Sequence, residues 1–220
     1  MKVRAAVLDI DGTLIDSNDA HAHAWVDGGK EMGYDIRFDH VRRLIGMGGD
    51  KVVPEITGLD DESDEAEKVK KRRGEIFQER YLPELKPFPQ ARELLERLQA
   101  DGIALVVATS ASKDDMGLLL EKAGIKDLIE EKTSQGDVEA SKPDPDIVEA
   151  AVEKAGCEPA EAVMLGDTPY DVEASRRAGV PCIALRCGGW GDEDLRDAVA
   201  IYDDPADLLA NYDRSPFANG

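Results

Sequence analysis

The chain has 220 residues, with 47 Asp and Glu against 27 Lys and Arg and a formal net charge of −20. Such a surface excludes a nucleic-acid binder, which must neutralise phosphates, and a protein that docks on anionic lipid. An apolar fraction of 42% excludes global disorder, and the length makes between one and two domains.

The first apolar run, Val3–Leu8, stops at Asp9. It is far shorter than the roughly 20 residues of a bilayer span. It is also too short for a signal-peptide core, and no small-residue cleavage site follows. A cytoplasmic protein is therefore expected. The cysteines Cys157, Cys182 and Cys187 lack Cys-x-x-Cys spacing and fit free thiols in a reducing compartment.

From about residue 17 to 85 no strand-like run occurs. Asn18 or Asp19 can N-cap a helix that carries Ala22, Trp25, Val26 and Met32 and closes at Gly33. A short helix over Asp39–Leu44 runs into the cluster Gly46-Met47-Gly48-Gly49. The stretch Asp60–Leu82 is long, charged and helical in pattern, and its acidic start suits the positive end of a helix dipole. Pro83, Pro87 and Pro89 then mark a boundary.

Three more apolar runs follow: Ile103–Ala108, Ala162–Leu165 and Val180–Leu185. None alternates strictly, which fits strands buried on both faces of a parallel sheet. Helical segments lie between them, over Pro89–Leu98, Lys113–Ala123, Pro145–Ala155 and Tyr170–Ala178, several closed by glycine. Strands alternating with helices indicate an open α/β sheet. The expected fold is α/β: a three-layer, Rossmann-like parallel sheet from residues 1–16 and 86–220, with 17–85 inserted as an all-helical cap.

Polar residues sit directly after three of the strands. Asp9-Ile10-Asp11-Gly12-Thr13 follows the first, Thr109-Ser110 the second, and Gly166-Asp167-Thr168-Pro169-Tyr170-Asp171 a later one. Ligands of open α/β sheets bind beyond the carboxyl ends of the strands, so these segments should converge on one site. It would hold up to four carboxylates: Asp9, Asp11, Asp167 and Asp171. Asp171 also suits the first turn of the following helix. Crowded carboxylates need a cation, and an oxygen set without His or Cys suits Mg²⁺ rather than zinc. Magnesium usually shares its shell with a phosphate, which points to phosphoryl chemistry. Lys142, in the proline-framed turn Ser141-Lys142-Pro143-Asp144, offers a point charge to phosphate or to an aspartate. The Thr109 hydroxyl and the Ser110 N–H are further phosphate donors.

These residues resemble a known family. Asp9-Ile10-Asp11-Gly12-Thr13-Leu14 is similar to the first motif of the haloacid dehalogenase-like hydrolase superfamily. Thr109 resembles its second motif, Lys142 its third, and Gly166-Asp167 with Asp171 its fourth. Motifs in this order, each at a strand end or fixed turn, carry far more weight than one alone. The helical insertion resembles the cap of the subgroup that contains phosphoglycolate phosphatase and beta-phosphoglucomutase. The resemblance implies that Asp9 is the nucleophile and Asp11 the general acid and then base. It implies that Asp9, Asp11 through its main-chain carbonyl, and Asp167 hold Mg²⁺, with Asp171 among or beside them. Thr109 and Lys142 would bind the transferring phosphoryl group.

Substrate contacts are expected from Gly12 and Ser110 in the core and from His21, Arg43, Gly46 and Lys51 in the insertion, where the glycine cluster reads either as a mobile loop facing the site or as a plain helix–helix connection. The turn Cys187-Gly188-Gly189-Trp190-Gly191 either lines the mouth or only turns the chain. Asp11 sets the chain apart from the dehalogenases, which lack that second acid. The fourth motif lacks the adjacent Glu-Asp of the mutases, and Gly48-Gly49-Asp50-Lys51 lacks their cap arginine. The expected activity is Mg²⁺-dependent hydrolysis of a small-molecule phosphate ester by a monomer or weak homodimer. A phosphomutase and a non-catalytic regulatory protein on the same scaffold are the rival readings. The acidic surface opposes an anionic substrate, so the attraction has to be local.

Overall fold

The computed structural model describes residues 2–129, 131–134, 136 and 140–219. Among them six strands form one sheet: β1 (Ala5–Leu8), β2 (Ala104–Ala108), β3 (Glu131–Thr133), β4 (Ala162–Gly166), β5 (Cys182–Leu185) and β6 (Ala200–Tyr202). Every pairing is parallel, in the order β3-β2-β1-β4-β5-β6.

Both faces of the central strands are apolar, which is why their sequences do not alternate. Ala6, Leu8, Leu105, Val107, Val163 and Leu165 point to one side and join Leu94, Leu98, Leu119 and Leu208 in the larger core. Those partners come from α5 (Ala91–Ala100), α6 (Lys113–Lys122) and α9 (Pro205–Ala210). Ala5, Val7, Val106, Ala162 and Met164 point to the other side and meet Ile147, Ala151 and Val172 from α7 (Asp146–Ala155) and α8 (Pro169–Arg177). Helix, sheet and helix therefore make the three expected layers. Two strands were not expected: β3 is Glu-Lys-Thr with no apolar run, and β6 sits in the short run Ala198–Tyr202; each is three residues long and pairs with one neighbour at a sheet edge.

Between β1 and β2 the chain is helical: α1 (Asn18–Glu31), α2 (Phe38–Leu44), α3 (Gly49–Thr57) and α4 (Asp64–Ile76), then a wider π turn over Phe77–Tyr81. These helices own a separate apolar cluster that includes Ala22, Trp25, Val41, Val52 and Val69. Ala24, Ile76 and Phe77 belong instead to the larger core, so α1 and the end of α4 are rooted in the sheet domain's packing. A last helix, α10, covers Pro216–Asn219. No helix among the described residues is long and apolar enough to cross a membrane.

Three local expectations change. The helix expected from Asp60 begins at Asp64, where the Ser63 hydroxyl accepts the Ala66 N–H. The residue before α1 is Ser17, not Asn18 or Asp19, and it makes no side-chain cap bond; both Ser17 and Asn18 are engaged by aspartates described below. The glycine cluster does not stay a loop throughout, since Gly49 opens α3, whose Val52 and Val53 are buried.

Candidate active site

The register of the sheet assembles the site. Leu8 pairs with Val107 of β2 and with Leu165 of β4, so the residues after all three strands emerge at one edge. The Asp9 N–H donates to the Leu165 carbonyl at 2.9 Å. In the strand order, β1 and β4 flank the point from which the chain fills the sheet in both directions, where the following loops diverge and leave a crevice. Gly12 turns the chain back at φ +75°, and a Cβ there would lie 2.1 Å from Asn18 Nδ2 and 2.3 Å from Asp167 Oδ2. Glycine alone meets both demands.

Asp9, Asp167 and Asp171 are buried, and each offers an oxygen within 4.8 Å of the others. Lys142, fully buried, donates from Nζ to Asp9 Oδ1 at 2.6 Å and pairs with Asp171 Oδ1 at 2.7 Å. Burial opposes the ammonium charge, but Asp171 and Asp9 outweigh it and hold the lysine above its ordinary value. Burial pushes Asp9 up to about 7 against the pull of Lys142. Burial, with Asp171 and Asp9 close by, raises Asp167 well above the carboxylate range. The Asp167 carboxyl accepts from two neutral donors, Thr13 Oγ1 at 2.9 Å and Asn18 Nδ2 at 2.8 Å. One ammonium facing three buried carboxyls leaves negative charge that a divalent cation would balance. The all-oxygen donors fit Mg²⁺. Asp171 Oδ2 accepts the Thr168 N–H at 3.0 Å and the Thr168 O–H at 2.7 Å, so this residue both caps α8 and holds Lys142.

The Asp11 carboxylate stands outside that group. Its Oδ1 accepts the Ser17 hydroxyl at 2.5 Å and meets His21 Nε2 at 2.6 Å. Arg73, from α4, donates to His21 Nδ1. An arginine can only donate, so Nδ1 accepts and the Nε2–H faces Asp11. Burial alone would raise Asp11, yet His21, the Ser17 hydroxyl and Arg73 together hold it below the ordinary value.

A cavity of about 660 Å³ opens over these groups, with Asp9, Asp11, Thr109 and Ser110 on the sheet side and Gly46, Lys70, Lys71 and Arg73 on the helical side. The two hydroxyls after β2 differ. Thr109 Oγ1 accepts the Ala111 N–H at 3.1 Å, whereas Ser110 Oγ is buried without a partner among the described residues. Ser110 lines the cavity, so its hydroxyl can donate to a ligand there.

Residues 6–185 match the sequence model of the haloacid dehalogenase-like hydrolase family. The chain belongs to that family. Among similar proteins, the phosphoglycolate phosphatase of Rhodospirillum rubrum is 30% identical over 221 residues, covering 93% of this chain and 89% of that protein. The chloroplastic protein SUPPRESSOR OF QUENCHING 1 of Arabidopsis thaliana is 32% identical across 96% of this chain, which spans 20% of that protein's length. Among solved structures, a hydrolase from Pseudomonas syringae superposes with a TM-score of 0.89 at 29% identity, covering 96% of this chain and 98% of that one.

The hydrolase places its other sequence-derived candidates unevenly. His21 and Gly46 line the cavity, and Gly46 lies against Thr168 and Tyr170. Arg43 is exposed, with its guanidinium 4.6 Å from the Trp190 ring and its carbonyl accepting the Tyr170 O–H at 2.6 Å. Lys51 pairs with Asp144 at 2.6 Å. Neither Arg43 nor Lys51 is among the residues that line the cavity. No residue of the turn after β5 is among those that line the cavity; its Gly188 carbonyl accepts from Asn18 Nδ2 at 3.3 Å and from Arg42 Nη2 at 2.6 Å.

Five contributors were given no role in the site by the sequence: Thr13, Ser17, Asn18, Arg73 and Asp115. Ser and Asn ahead of a helix read as caps, and Arg73 is one cation in the run Lys68–Arg73. Its place is special only in three dimensions. It pairs with buried Asp115 at 3.2 Å and lies 5.3 Å from the Trp25 ring and 5.2 Å from the Phe77 ring. Gln78 Nε2 also donates to Asp115, at 2.8 Å.

Proposed function

We propose that this hydrolase is a phosphatase for a small phosphorylated metabolite, working through an acyl-phosphate on Asp9, with residues 17–85 as a cap over a core of 1–16 and 86–220. The observation that carries the reading is the meeting of Asp9, Asp11 and the Ser110 hydroxyl at one cavity floor, with the buried Lys142 bonded to Asp9.

An Asp9 carboxylate oxygen attacks phosphorus, the ester P–O bond breaks, and Asp11 gives its proton to the departing alcohol oxygen. Water then attacks the same phosphorus while Asp11 takes a proton from it, and inorganic phosphate leaves. The low Asp11 value in the free enzyme suits the base role of the second step. For the first step the anionic substrate raises that value, because a like charge disfavours the carboxylate. Lys142 holds Asp9 in place for attack and offers its charge to the phosphoryl oxygens. Ser110 Oγ and the neighbouring N–H groups supply donors there, while Thr109 Oγ1 secures the turn that presents them. Mg²⁺, held by Asp9, Asp167 and the Asp11 carbonyl, would supply charge neutralisation and orientation of the phosphoryl group.

The helical wall of the cavity carries Lys70, Lys71 and Arg73, and Lys113 lies at its rim on the core side. The same lining carries Glu67, Glu75, Asp114 and Asp115, and Lys70, Lys71 and Arg73 pair with Glu67, Glu75 and Asp115, so an anionic leaving group has to compete with these acids for its cations. The Rhodospirillum rubrum relative is named a phosphoglycolate phosphatase, which agrees with a small phosphorylated metabolite as substrate. The test is turnover of an aryl phosphate by wild type and Asp9→Asn. We expect loss of about 10⁴-fold or more in kcat, as for removal of a covalent nucleophile, and a hydroxylamine-sensitive phosphoryl label on wild type only. Undiminished turnover in Asp9→Asn refutes the mechanism.

A further inference from the structure

The turn that carries Lys142 is gripped on both flanks by residues of the helical insertion. On the near side, the Gly48 N–H donates to Ser141 Oγ at 3.0 Å. The approach is tight enough that a Cβ on Gly48 would lie 2.6 Å from the Ser141 Cβ. On the far side, Lys51 Nζ donates to Asp144 Oδ2 at 2.6 Å. The other oxygen of Asp144 meets Arg177 Nη2 at 3.0 Å, and Arg177 Nη1 donates to the Pro143 carbonyl at 3.1 Å. Gly48 and Lys51 belong to one turn of chain at the start of α3, so a single rigid piece of the insertion touches the residue before Lys142 and the second residue after it.

Between these two grips, Lys142 reaches Asp9 and Asp171 with no exposure to solvent. A lysine side chain has several rotatable bonds, and its backbone anchor decides which of them lead to Asp9. We infer that Lys51 and Asp144 are a positioning pair: docking of the α3 start onto the Ser141–Asp144 turn sets Lys142, so that the Asp9 nucleophile is aligned only when the insertion is seated. The inference rests on the proposed role of Asp9 and Lys142. It also reassigns Lys51, whose sequence context suggested a substrate contact: the lysine acts on the reaction through Lys142 and not through the leaving group. Seating the insertion and arming the nucleophile then become one event, which denies bulk water an aligned Asp9 in the unseated enzyme.

The test combines two measurements on the full chain: steady-state kinetics with p-nitrophenyl phosphate, and amide hydrogen exchange of Ser141, Lys142 and Asp144. The variants are Lys51→Met, Asp144→Asn, their double, and Lys51→Arg. We expect each single variant to lower kcat about fivefold with KM within about twofold of wild type, the double to be no worse than either single, and Lys51→Arg to recover most of the loss, as for two residues acting as a unit. Exchange at the three amides should quicken in Lys51→Met and return in Lys51→Arg. A rise in KM alone for Lys51→Met, with Asp144→Asn behaving as wild type, makes Lys51 a substrate contact and overturns the inference. So does unchanged exchange, or quicker exchange with unchanged kcat. If wild-type turnover does not depend on Asp9, the functional reading has failed separately, and the exchange data alone decide whether Lys51 holds the turn.

Discussion

Replacing Arg73 with methionine tests how far the site depends on a residue from the insertion. The change keeps an unbranched apolar stem beside Trp25 and Phe77 but removes the partner of Asp115, whose side chain is 4% exposed. Breaking a buried ion pair from one side costs about 3–5 kcal/mol when the remaining charge is stranded. Asp115 is not wholly stranded: Gln78 still donates at 2.8 Å, and the residue lies in the first turn of α6, where a helix dipole favours an acid. The Arg73 side chain is also 15% exposed. We therefore expect a loss of about 2 kcal/mol, which for a chain of this size is ~4–8 °C in Tm. Removing both charges in Arg73→Met/Asp115→Leu should recover most of that loss, because no unpaired charge is then left behind. Thermal unfolding followed by circular dichroism reads both values. A single variant within about 1 °C of wild type, or a double variant less stable than the single, refutes the reasoning. The same substitution frees His21 Nδ1, so the Nε2–H is no longer obliged to face Asp11, and kcat should fall with stability.

The acidic cluster predicts a thermal shift with magnesium. At a hundredfold excess over its Kd, a ligand that binds only the folded state adds about 2.7 kcal/mol, or ~5–11 °C here. Asp167→Asn should abolish the shift while leaving the metal-free protein at least as stable as wild type, because one of three crowded carboxyls is gone; an equal shift in that variant argues against the assignment. The Lys51–Asp144 pair predicts a pH effect. The hydrogen bond from Lys51 holds Asp144 below its ordinary 3.8, so its contribution is complete above that value and is lost as the pH falls through the lower folded-state value. Each side chain is 29% exposed, so the pair is worth about 1 kcal/mol. The Tm gap between wild type and Asp144→Asn should be ~2–4 °C near neutrality and shrink as the pH is lowered below 3.8; a gap that stays undiminished there refutes it.

Much of the site could be read from the chain because its parts are tied to strand ends. Leu8 and Leu165 end apolar runs and Val107 lies one residue before the end of its own, and the register that makes them neighbours follows from packing parallel strands with both faces buried. Asp9, Asp167 and Lys142 therefore came together where a linear reading placed them. Short range decided what was misread. Ser17 and Asn18 have the chemistry of helix caps, and only the fold shows that Asp11 and Asp167 stand closer to them than the free N–H groups of α1. Ser110 and Thr109 are adjacent hydroxyls, and only the Ala111 N–H distinguishes them by engaging one.

The amino-acid sequence by itself determined the four inner strands of the sheet, the helices between them, the acidic composition and the order of the polar strand ends, because hydrophobic periodicity and turn chemistry act over a few residues. The net charge of −20 needed no fold to set the expectation against phosphate-rich polymers as partners. Only the tertiary structure decided which charges face one another across long separations. It drew Arg73 to Asp115 and His21, turned Lys51 from the cavity to Asp144, and put Lys142 between Asp9 and Asp171. Long, flexible charged side chains carry no periodic signal of their own, and the energy that fixes each of them comes from a partner whose position exists only once the core has packed.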